Sequence, residues 1–325
     1  MRSVVTEEEI TEPRSTRRAP IAVLLPCYNE EAAIEAVVLG FRDALPDAAI
    51  FVFDNASTDA TASRAASAGA YVRHESRRGK GNVVRRMFAD VDADIYVMAD
   101  GDGTYDSSHA RRLIDRLVRD DLDMVVGARV AAEGAYRQGH AWGNVLFNRF
   151  VALIFSSGFT DIFSGYRAFS RRFVKSFPAL SSGFEIETEL TVHALELRMP
   201  VAEVEVPYAK RVAGTASKLR TIPDGIKIFW TILLLFKEVR PFWFFSIVAA
   251  IFFGVSLWLG YPLVATWLET GQVPRFPTAI LATGIAVFGS LSLTCGLILD
   301  SVSRGRREMK RLRYLAHPPV SADKR

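Results

Sequence analysis

The sequence predicts an α/β protein, a mostly parallel sheet with flanking helices, followed by an interfacial helix and two transmembrane helices. Three observations carry that prediction. Short apolar runs alternate with helix-patterned segments from Ile21 to Ala128. Two C-terminal stretches, Phe242–Leu263 and Phe276–Leu299, run for 22 and 24 residues without a charge. Each is long enough for a hydrocarbon core of about 30 Å at about 1.5 Å per residue. Between the two halves, Ile228–Phe236 has nine uncharged residues, too few to span, flanked by Lys227 and Lys237 and containing Trp230. That pattern suits a helix lying among lipid headgroups, or else a core helix of the soluble part.

Taken in order, Ile21–Leu25 reads as the first strand, and Asn29 as a possible N-cap of a helix reaching Leu45 with Glu30 and Glu31 in its first turn. Ala49–Phe53 repeats the strand signal, and Ser57 or Asp59 can cap a helix through Ala68. Tyr71–Arg73 reads as a third strand, Asn82–Ala89 as a helix, Ile95–Ala99 as a fourth strand and Met124–Ala128 as a fifth. The spans could also be buried core helices, but a soluble domain rarely keeps two such stretches free of charge.

Composition limits the partners. Forty Lys and Arg against 36 Asp and Glu leave a net charge of +4, without the concentrated basicity of a dedicated nucleic-acid binder, so no nucleic-acid partner is expected. Two cysteines, Cys27 and Cys295, make no disulfide framework and no Cys-rich zinc site, which points to a reducing compartment. Residues 1–20 contain no apolar signal segment. Arg304, Arg306, Arg307, Lys310, Arg311 and Arg313 follow the second span, Lys237 and Arg240 precede the first, and the connection holds only Glu269 and Arg275. By the positive-inside rule both termini and the soluble domain face the cytoplasm, on an inner-membrane, multi-pass anchor.

The expected organisation is a disordered tail over 1–19, a cytoplasmic domain over 20–221, an amphipathic interfacial helix over 222–241, a transmembrane hairpin over 242–300 and a basic cytoplasmic tail over 301–325. Open α/β sheets bind ligands beyond the carboxyl ends of their strands. Pro26-Cys27-Tyr28-Asn29-Glu30 follows the first strand and Asp54-Asn55-Ala56-Ser57-Thr58-Asp59 the second; taken alone, both are compatible with ordinary turn and cap chemistry. Arg77-Arg78-Gly79-Lys80-Gly81-Asn82 can bring cations and backbone N–H groups to an anion, or can be a solvated basic loop; it is not a P-loop. After the fourth strand, Asp100-Gly101-Asp102-Gly103-Thr104 places two carboxylates one residue apart at a solvent-facing strand end. Such hard oxygen donors suit Mg2+ or Mn2+ between protein and a diphosphate; an acidic turn with some calcium affinity is the other reading.

Together these segments resemble an ordered motif series. PCYNE (Pro26–Glu30), DNASTD (Asp54–Asp59), GKG (Gly79–Gly81), Asp100-Gly101-Asp102, Gly127-Ala128-Arg129, DIFSGYRAF (Asp161–Phe169) and RVAGTASKL (Arg211–Leu219) are similar to the series of glycosyltransferase family 2. More narrowly they resemble its polyprenyl-phosphate glycosyltransferases, the group that includes dolichol-phosphate mannose synthase, and the paired spans resemble the bacterial membrane-anchored subgroup. The resemblance implies a GT-A-type sheet. It implies that Pro26, Tyr28, Glu30, Asp54 and Asn55 cradle the base and ribose of a nucleotide-sugar, with Lys80, Gly101 and Arg129 also at the donor. Asp100 and Asp102 would hold Mg2+ or Mn2+, Asp102 counting among the catalytic residues. Asp161 would act as base or positioning group near the acceptor, or as a cap or arginine partner with Arg167 opposite it. Arg167, Arg211, Ser217 and Lys218 would meet the acceptor's phosphate. Two departures from the family pattern concern the donor: Asn55 stands where many members have a second aspartate, and Gly103-Thr104 replaces Leu-Gln.

The expected reaction is an inverting, metal-dependent transfer of a hexose-type sugar from a UDP- or GDP-sugar to a polyprenyl phosphate, undecaprenyl phosphate first, at the cytoplasmic membrane face. A polysaccharide synthase of the same superfamily is the alternative enzyme; QxxRW and extra spans are absent from the sequence. A membrane-tethered nucleotide-sugar binding protein without turnover is the alternative of another class. Glu189 in GFEIETEL suits a helix surface, while Glu185 and Glu187 are open between a polar face and contact with donor or metal; His193 reads as packed or exposed rather than catalytic. Gly284, Ala286, Gly289 and Ser290 suit helix–helix contact within a homo-oligomer, as the subgroup implies, or a lipid-facing stripe.

Overall fold

The computed structural model describes residues 19–131, 159–183, 185–209, 230 and 233–320. The described strands are β1 (Ala19–Cys27), β2 (Ala49–Asp54), β3 (Tyr71–His74), β4 (Ala93–Met98), β5 (Met124–Ala131), β6 (Arg167–Ser170) and β7 (Val201–Tyr208). They form one sheet in the order β3-β2-β1-β4-β6-β5-β7. β6 is antiparallel to both neighbours and every other pairing is parallel. Helices α1 (Ile34–Ala44), α2 (Thr61–Ser67), α3 (Lys80–Asp90), α4 (Ala110–Arg119), α5 (Arg171–Ser176) and α6 (Ile186–Glu196) cover its faces, and α7 (Pro241–Thr270) and α8 (Phe276–Leu315) follow.

Alternate residues of each strand enter opposite cores, as the two-residue period requires. Val23, Leu25 and Val97 pack with Ile34, Val38 and Phe41 of α1 and Leu113 and Leu117 of α4. Ala22, Leu24 and Met98 pack on the other side with Val84, Met87 and Phe88 of α3 and Ile186 and Leu190 of α6. The three- and four-residue spacing of these helical positions keeps one stripe inward. Both faces are therefore covered, as in parallel sheets generally, and the polar strand ends are left as the place for chemistry.

The strands expected at β1 to β5 are present. The first helix differs: it begins at Ile34, and Asn29 does not cap it. Asn29 instead adopts a left-handed φ of 52°. Its N–H donates to Ser57 Oγ at 2.9 Å and its Oδ1 accepts from Thr58 N at 2.8 Å, stapling the loop after β1 to the loop after β2. The tail over 1–19 lies outside the described residues except for Ala19, as does half of the expected interfacial segment; residues 233–239 of it are helical.

Among the described residues, α7 and α8 are the two helices long and apolar enough to cross a membrane. They form a hairpin whose outer surface exposes Leu257, Trp258, Leu268, Phe288 and Leu297. Ser256 Oγ donates across it to Ala282 O at 2.8 Å, and Ser292 Oγ to Phe245 O at 3.3 Å. A Cβ at Gly296 would lie 2.9 Å from Phe245 Cβ, and one at Gly289 3.2 Å from the Phe253 ring, so both glycines are spent inside the hairpin. A Cβ at Gly284 meets nothing within 4 Å. Gly296→Leu is accordingly expected to overpack the hairpin at about 1–3 kcal/mol and lower the melting temperature of the detergent-solubilised protein, whereas Gly284→Leu leaves it unchanged.

The basic segment after the second apolar stretch is helical, continuing α8 to Leu315, and its end docks against α6 and the start of β5. Lys310 Nζ donates to Glu196 at 2.7 Å, Arg311 to Leu197 O at 3.2 Å and Tyr314 OH to buried Asp123 at 2.8 Å.

His193 of α6 is packed, as one of its two sequence readings had it. Its ring lies against Phe173 and Phe177, and its Nε2 is 3.2 Å from Ser176 Oγ. Burial, with the Lys310 charge adding to it, pushes its pKa down to about 3. Between pH 6.5 and that value an unfolded chain binds a proton that the folded one refuses, so stability falls as the pH drops below about 6.5, by at most about 1.4 kcal/mol per pH unit. Melting curves between pH 7.5 and 5 should show this acid limb, and His193→Gln should flatten it.

Candidate active site

The strand ends that form the site are brought level by register: Cys27 pairs with Asp54, and Leu24 with Met98. Asp54 therefore ends β2 beside the loop after β1, and Ala99-Asp100 continues from β4 next to both. Asp54 is buried; its Oδ2 accepts from Ser57 N at 3.3 Å and faces His74 Nδ1 at 3.3 Å. Its Oδ1 is buried and has no hydrogen-bond partner among the described residues, a costly state unless a ligand supplies a donor. Tyr28 lies 5.3 Å under the Arg78 guanidinium.

Asn55 is buried and organises the basic loop. Its amide donates to Glu75 O at 3.0 Å and Arg77 O at 2.7 Å, and its Oδ1 accepts from Gly79 N at 2.7 Å. A carboxylate can supply the acceptor but neither donor. Asn55→Asp is thus expected to leave two carbonyls short of a partner, costing about 1–3 kcal/mol and raising the KM for the donor more than it lowers kcat in initial-rate measurements.

The glycines around Lys80 admit a second segment. A Cβ at Gly79 would meet Ser182 O, and one at Gly81 would meet Ser181 O, each at 2.2 Å. Gly81 N donates to Gly183 O at 3.1 Å, and Arg85 holds Ala179 O, Leu180 O and Ser181 O. This close packing brings the start of α6 against α3, so that Glu187 faces Lys80. Lys80 Nζ contacts Asp100 and lies 2.6 Å from Glu187 Oε1. Burial alone would lower the lysine's pKa, but the charges of Asp100 and Glu187 outweigh it and hold the ammonium well above its ordinary range. Glu187 is buried and its Oε2 has no hydrogen-bond partner among the described residues.

Asp100 and Asp102 differ in setting. Asp100 remains partly exposed beside Lys80. Asp102 is 3% exposed, which corrects the expectation of a solvent-facing pair. Its Oδ1 accepts from Thr104 N at 3.1 Å and Thr104 Oγ1 at 2.6 Å, giving Thr104 a role in orienting the carboxylate. Gly101 is required because a Cβ there would lie 2.3 Å from Cys27 Sγ. Gly165 closes the site from the other side: its Cβ would fall 2.8 Å from Asp100 Oδ2 and 3.0 Å from Lys80 Nζ.

Asp161 is paired, and its partner is Arg129 rather than Arg167. Arg129 donates to it from Nε at 2.7 Å, from Nη2 at 2.8 Å and from its backbone N at 3.1 Å. The guanidinium also lies 5.3 Å from the Tyr208 ring centre. Arg167 is fully buried. It donates to Ser164 O at 2.8 Å, Ile162 O at 2.5 Å and Thr191 Oγ1 at 2.9 Å, bracing the segment that carries Asp161 and Gly165. With its donors spent there it does not reach a surface-bound phosphate, so its expected acceptor contact is replaced by an internal one. Arg211, Ser217 and Lys218 lie outside the described residues. Glu189 accepts from Leu180 N and Ser181 N at 2.9 and 2.8 Å, tying the same loop down.

The donor set fits a hard divalent cation: Asp100 and Asp102 supply carboxylate oxygens at one strand end, and Asp100 keeps part of its side chain exposed. Among the described residues no group of three or more His, Cys, Asp or Glu side chains could hold a metal by itself, so water or a ligand's oxygens must complete the coordination.

The seven-stranded order, with an acidic turn at the carboxyl end of its fourth strand, is that of a GT-A-type fold. The chain belongs to glycosyl transferase family 2, whose model matches residues 22–177. Over 299 residues it is 33% identical to glycosyltransferase AglJ of Haloferax volcanii, covering 91% of this chain and 98% of that one. A dolichyl-phosphate hexose transferase of the same organism is 28% identical over 222 residues, 68% of this chain and 95% of the relative. Among solved structures, glucosyl-3-phosphoglycerate synthase from Mycobacterium tuberculosis, in complex with Mn2+, UDP-glucose and phosphoglyceric acid, superposes with a TM-score of 0.54 at 24% identity. That likeness covers 66% of this chain and 79% of the other and supports the fold.

Proposed function

We propose that the protein transfers a hexose-type sugar, with inversion, from a UDP- or GDP-sugar to a polyprenyl phosphate at the cytoplasmic face of the membrane. The observation that carries this reading is the cluster of Lys80, partly exposed Asp100 and buried Glu187 at the end of β4, in a chain that also bears two membrane-length helices among the described residues. The name of the dolichyl-phosphate hexose transferase relative supports the class of acceptor. Undecaprenyl phosphate is the first acceptor to test.

In this reading Tyr28, Asp54 and the loop held by Asn55 receive the nucleoside, the unpartnered Asp54 Oδ1 taking a donor from it. Asp100 and Asp102 would hold Mg2+ or Mn2+, which supplies charge to the departing diphosphate. Lys80 adds a cation on the same side. The acceptor is a phosphate monoester, largely ionised at neutral pH, so positioning matters more than proton removal. Asp161 fits that: locked to Arg129 through both carboxylate oxygens, it fixes the guanidinium rather than waiting for a proton. In this reading both termini and the domain over 20–221 lie in the cytoplasm, with 222–241 at the interface and 242–300 as the spanning hairpin, which the basic residues on either side of the hairpin support.

The test incubates the purified full chain in detergent with undecaprenyl phosphate, Mg2+ or Mn2+, and a panel of UDP- and GDP-sugars. A lipid carrying one hexose is the expected product. Polymer would redirect the assignment to a polysaccharide synthase, and donor binding without product would make the protein a nucleotide-sugar binder.

A further inference from the structure

Lys80 has a place in the site that a donor-contacting lysine does not need. It is buried, with a side chain 10% exposed, and its ammonium joins two carboxylates from different parts of the chain, Asp100 after β4 and Glu187 at the start of α6. Gly165, lacking a Cβ, lets both Asp100 Oδ2 and Lys80 Nζ sit against its backbone. The second oxygen of Glu187 is buried without a hydrogen-bond partner among the described residues. A buried carboxylate with an idle oxygen beside another carboxylate is a site short of positive charge, and the ammonium satisfies only part of it.

We infer that Lys80 is a stand-in cation: it closes the Asp100–Glu187 pair when no divalent ion is present, so that the ion enters only together with a diphosphate that takes the ammonium over. Charge decides the order. Asp100, Asp102, Glu187 and Lys80 together carry two negative charges. A divalent ion arriving alone is drawn by the carboxylates but must first displace the ammonium that already bridges Asp100 and Glu187, and so gives up part of that attraction. A nucleoside diphosphate offers the ammonium new anionic partners, frees Asp100 for the ion and supplies the further oxygens that the described side chains lack. Glu187 is then a positioning residue, holding the lysine within reach of both arrangements. The inference rests on the proposed metal role of Asp100 and Asp102.

Mn2+ binding to the purified full chain in detergent, followed by the loss of the free-ion paramagnetic resonance signal, tests it without turnover. For the unaltered protein, adding UDP or GDP should tighten Mn2+ binding at least about 10-fold. Lys80→Met should bind Mn2+ without nucleotide at least about 10-fold more tightly than the unaltered protein, and nucleotide should then add little. Its melting temperature, lowered by the uncompensated carboxylates, should be restored by Mn2+ alone. Lys80→Arg retains a cation and should keep nucleotide-free binding weak. Equal Mn2+ affinity with and without nucleotide in the unaltered protein, or no gain in Lys80→Met, overturns the stand-in role while leaving the metal site in place. No Mn2+ binding in any form, with UDP and GDP present, overturns the metal reading and this inference with it.

Discussion

Asp102→Asn should abolish measurable transfer, lowering kcat by about 100-fold to 1,000-fold, the loss typical of removing one preorganised group from a charge-stabilising site. The carboxamide is isosteric, and its oxygen can still accept from Thr104 N and Oγ1, the two bonds that hold Asp102 Oδ1. The fold should therefore survive, with a melting temperature within a few degrees of the unaltered protein. What changes is the charge offered to a cation at the end of β4. Asp100→Asn should be as inactive for a related reason, since it also leaves Lys80 with Glu187 as its remaining carboxylate. Initial rates with a fixed donor and undecaprenyl phosphate, read beside thermal melts, separate loss of chemistry from loss of structure. Near-normal turnover in Asp102→Asn would remove the metal assignment.

The strands β1, β2, β4 and β5 were legible because each is a largely buried apolar run; β3 is an exposed edge strand read from Tyr71 and Val72 alone. The acidic turn after β4 was legible because two aspartates flanking glycine at a strand end have few structural reasons to be there. β6 was not. Arg167 opens it, and a guanidinium inside a four-residue strand looks like a surface or ligand contact until its carbonyl partners Ser164 and Ile162 are placed. Glu187 was left open for a different reason. Its position depends on the backbone of residues 181–183 lying directly on Gly79 and Gly81, a long-range close approach. The missing side chains of GKG were the available signal: they mark where another segment must come near. Asp161 shows the converse, since the carboxylate was read from its motif but its partner was not. The motif set Arg167 opposite it, and only the pairing of β5 with β6 brings Arg129 there instead.

The docked end of α8 gives the largest expected effect on stability. Asp123 is fully buried and accepts from Ser170 Oγ at 2.7 Å, from Tyr314 OH at 2.8 Å and from Arg172 Nε. Tyr314 lies between two guanidinium groups, 4.9 Å from Arg172 and 4.7 Å from Arg311. Asp123→Ala removes the carboxylate that pairs with Arg172, leaving more distant Asp121 as its compensating charge, and takes the acceptor from the tyrosine hydroxyl. Breaking a buried pair in this way costs about 3–5 kcal/mol, against about 1 kcal/mol for Tyr314→Phe, which loses one hydrogen bond and keeps the ring. From Leu299 to Tyr314 a helix rises about 22 Å at 1.5 Å per residue, so this contact, together with those of Lys310 and Arg311, holds the far end of the second apolar helix to the sheet. In reconstituted protein, Asp123→Ala should melt well below the unaltered chain and expose Arg306, Arg307, Lys310 and Arg311 to trypsin, while Tyr314→Phe should shift both readouts slightly. Equal protection in all three proteins would mean that the helix end stays in place without Asp123, and that the carboxylate serves β5 and α5 alone.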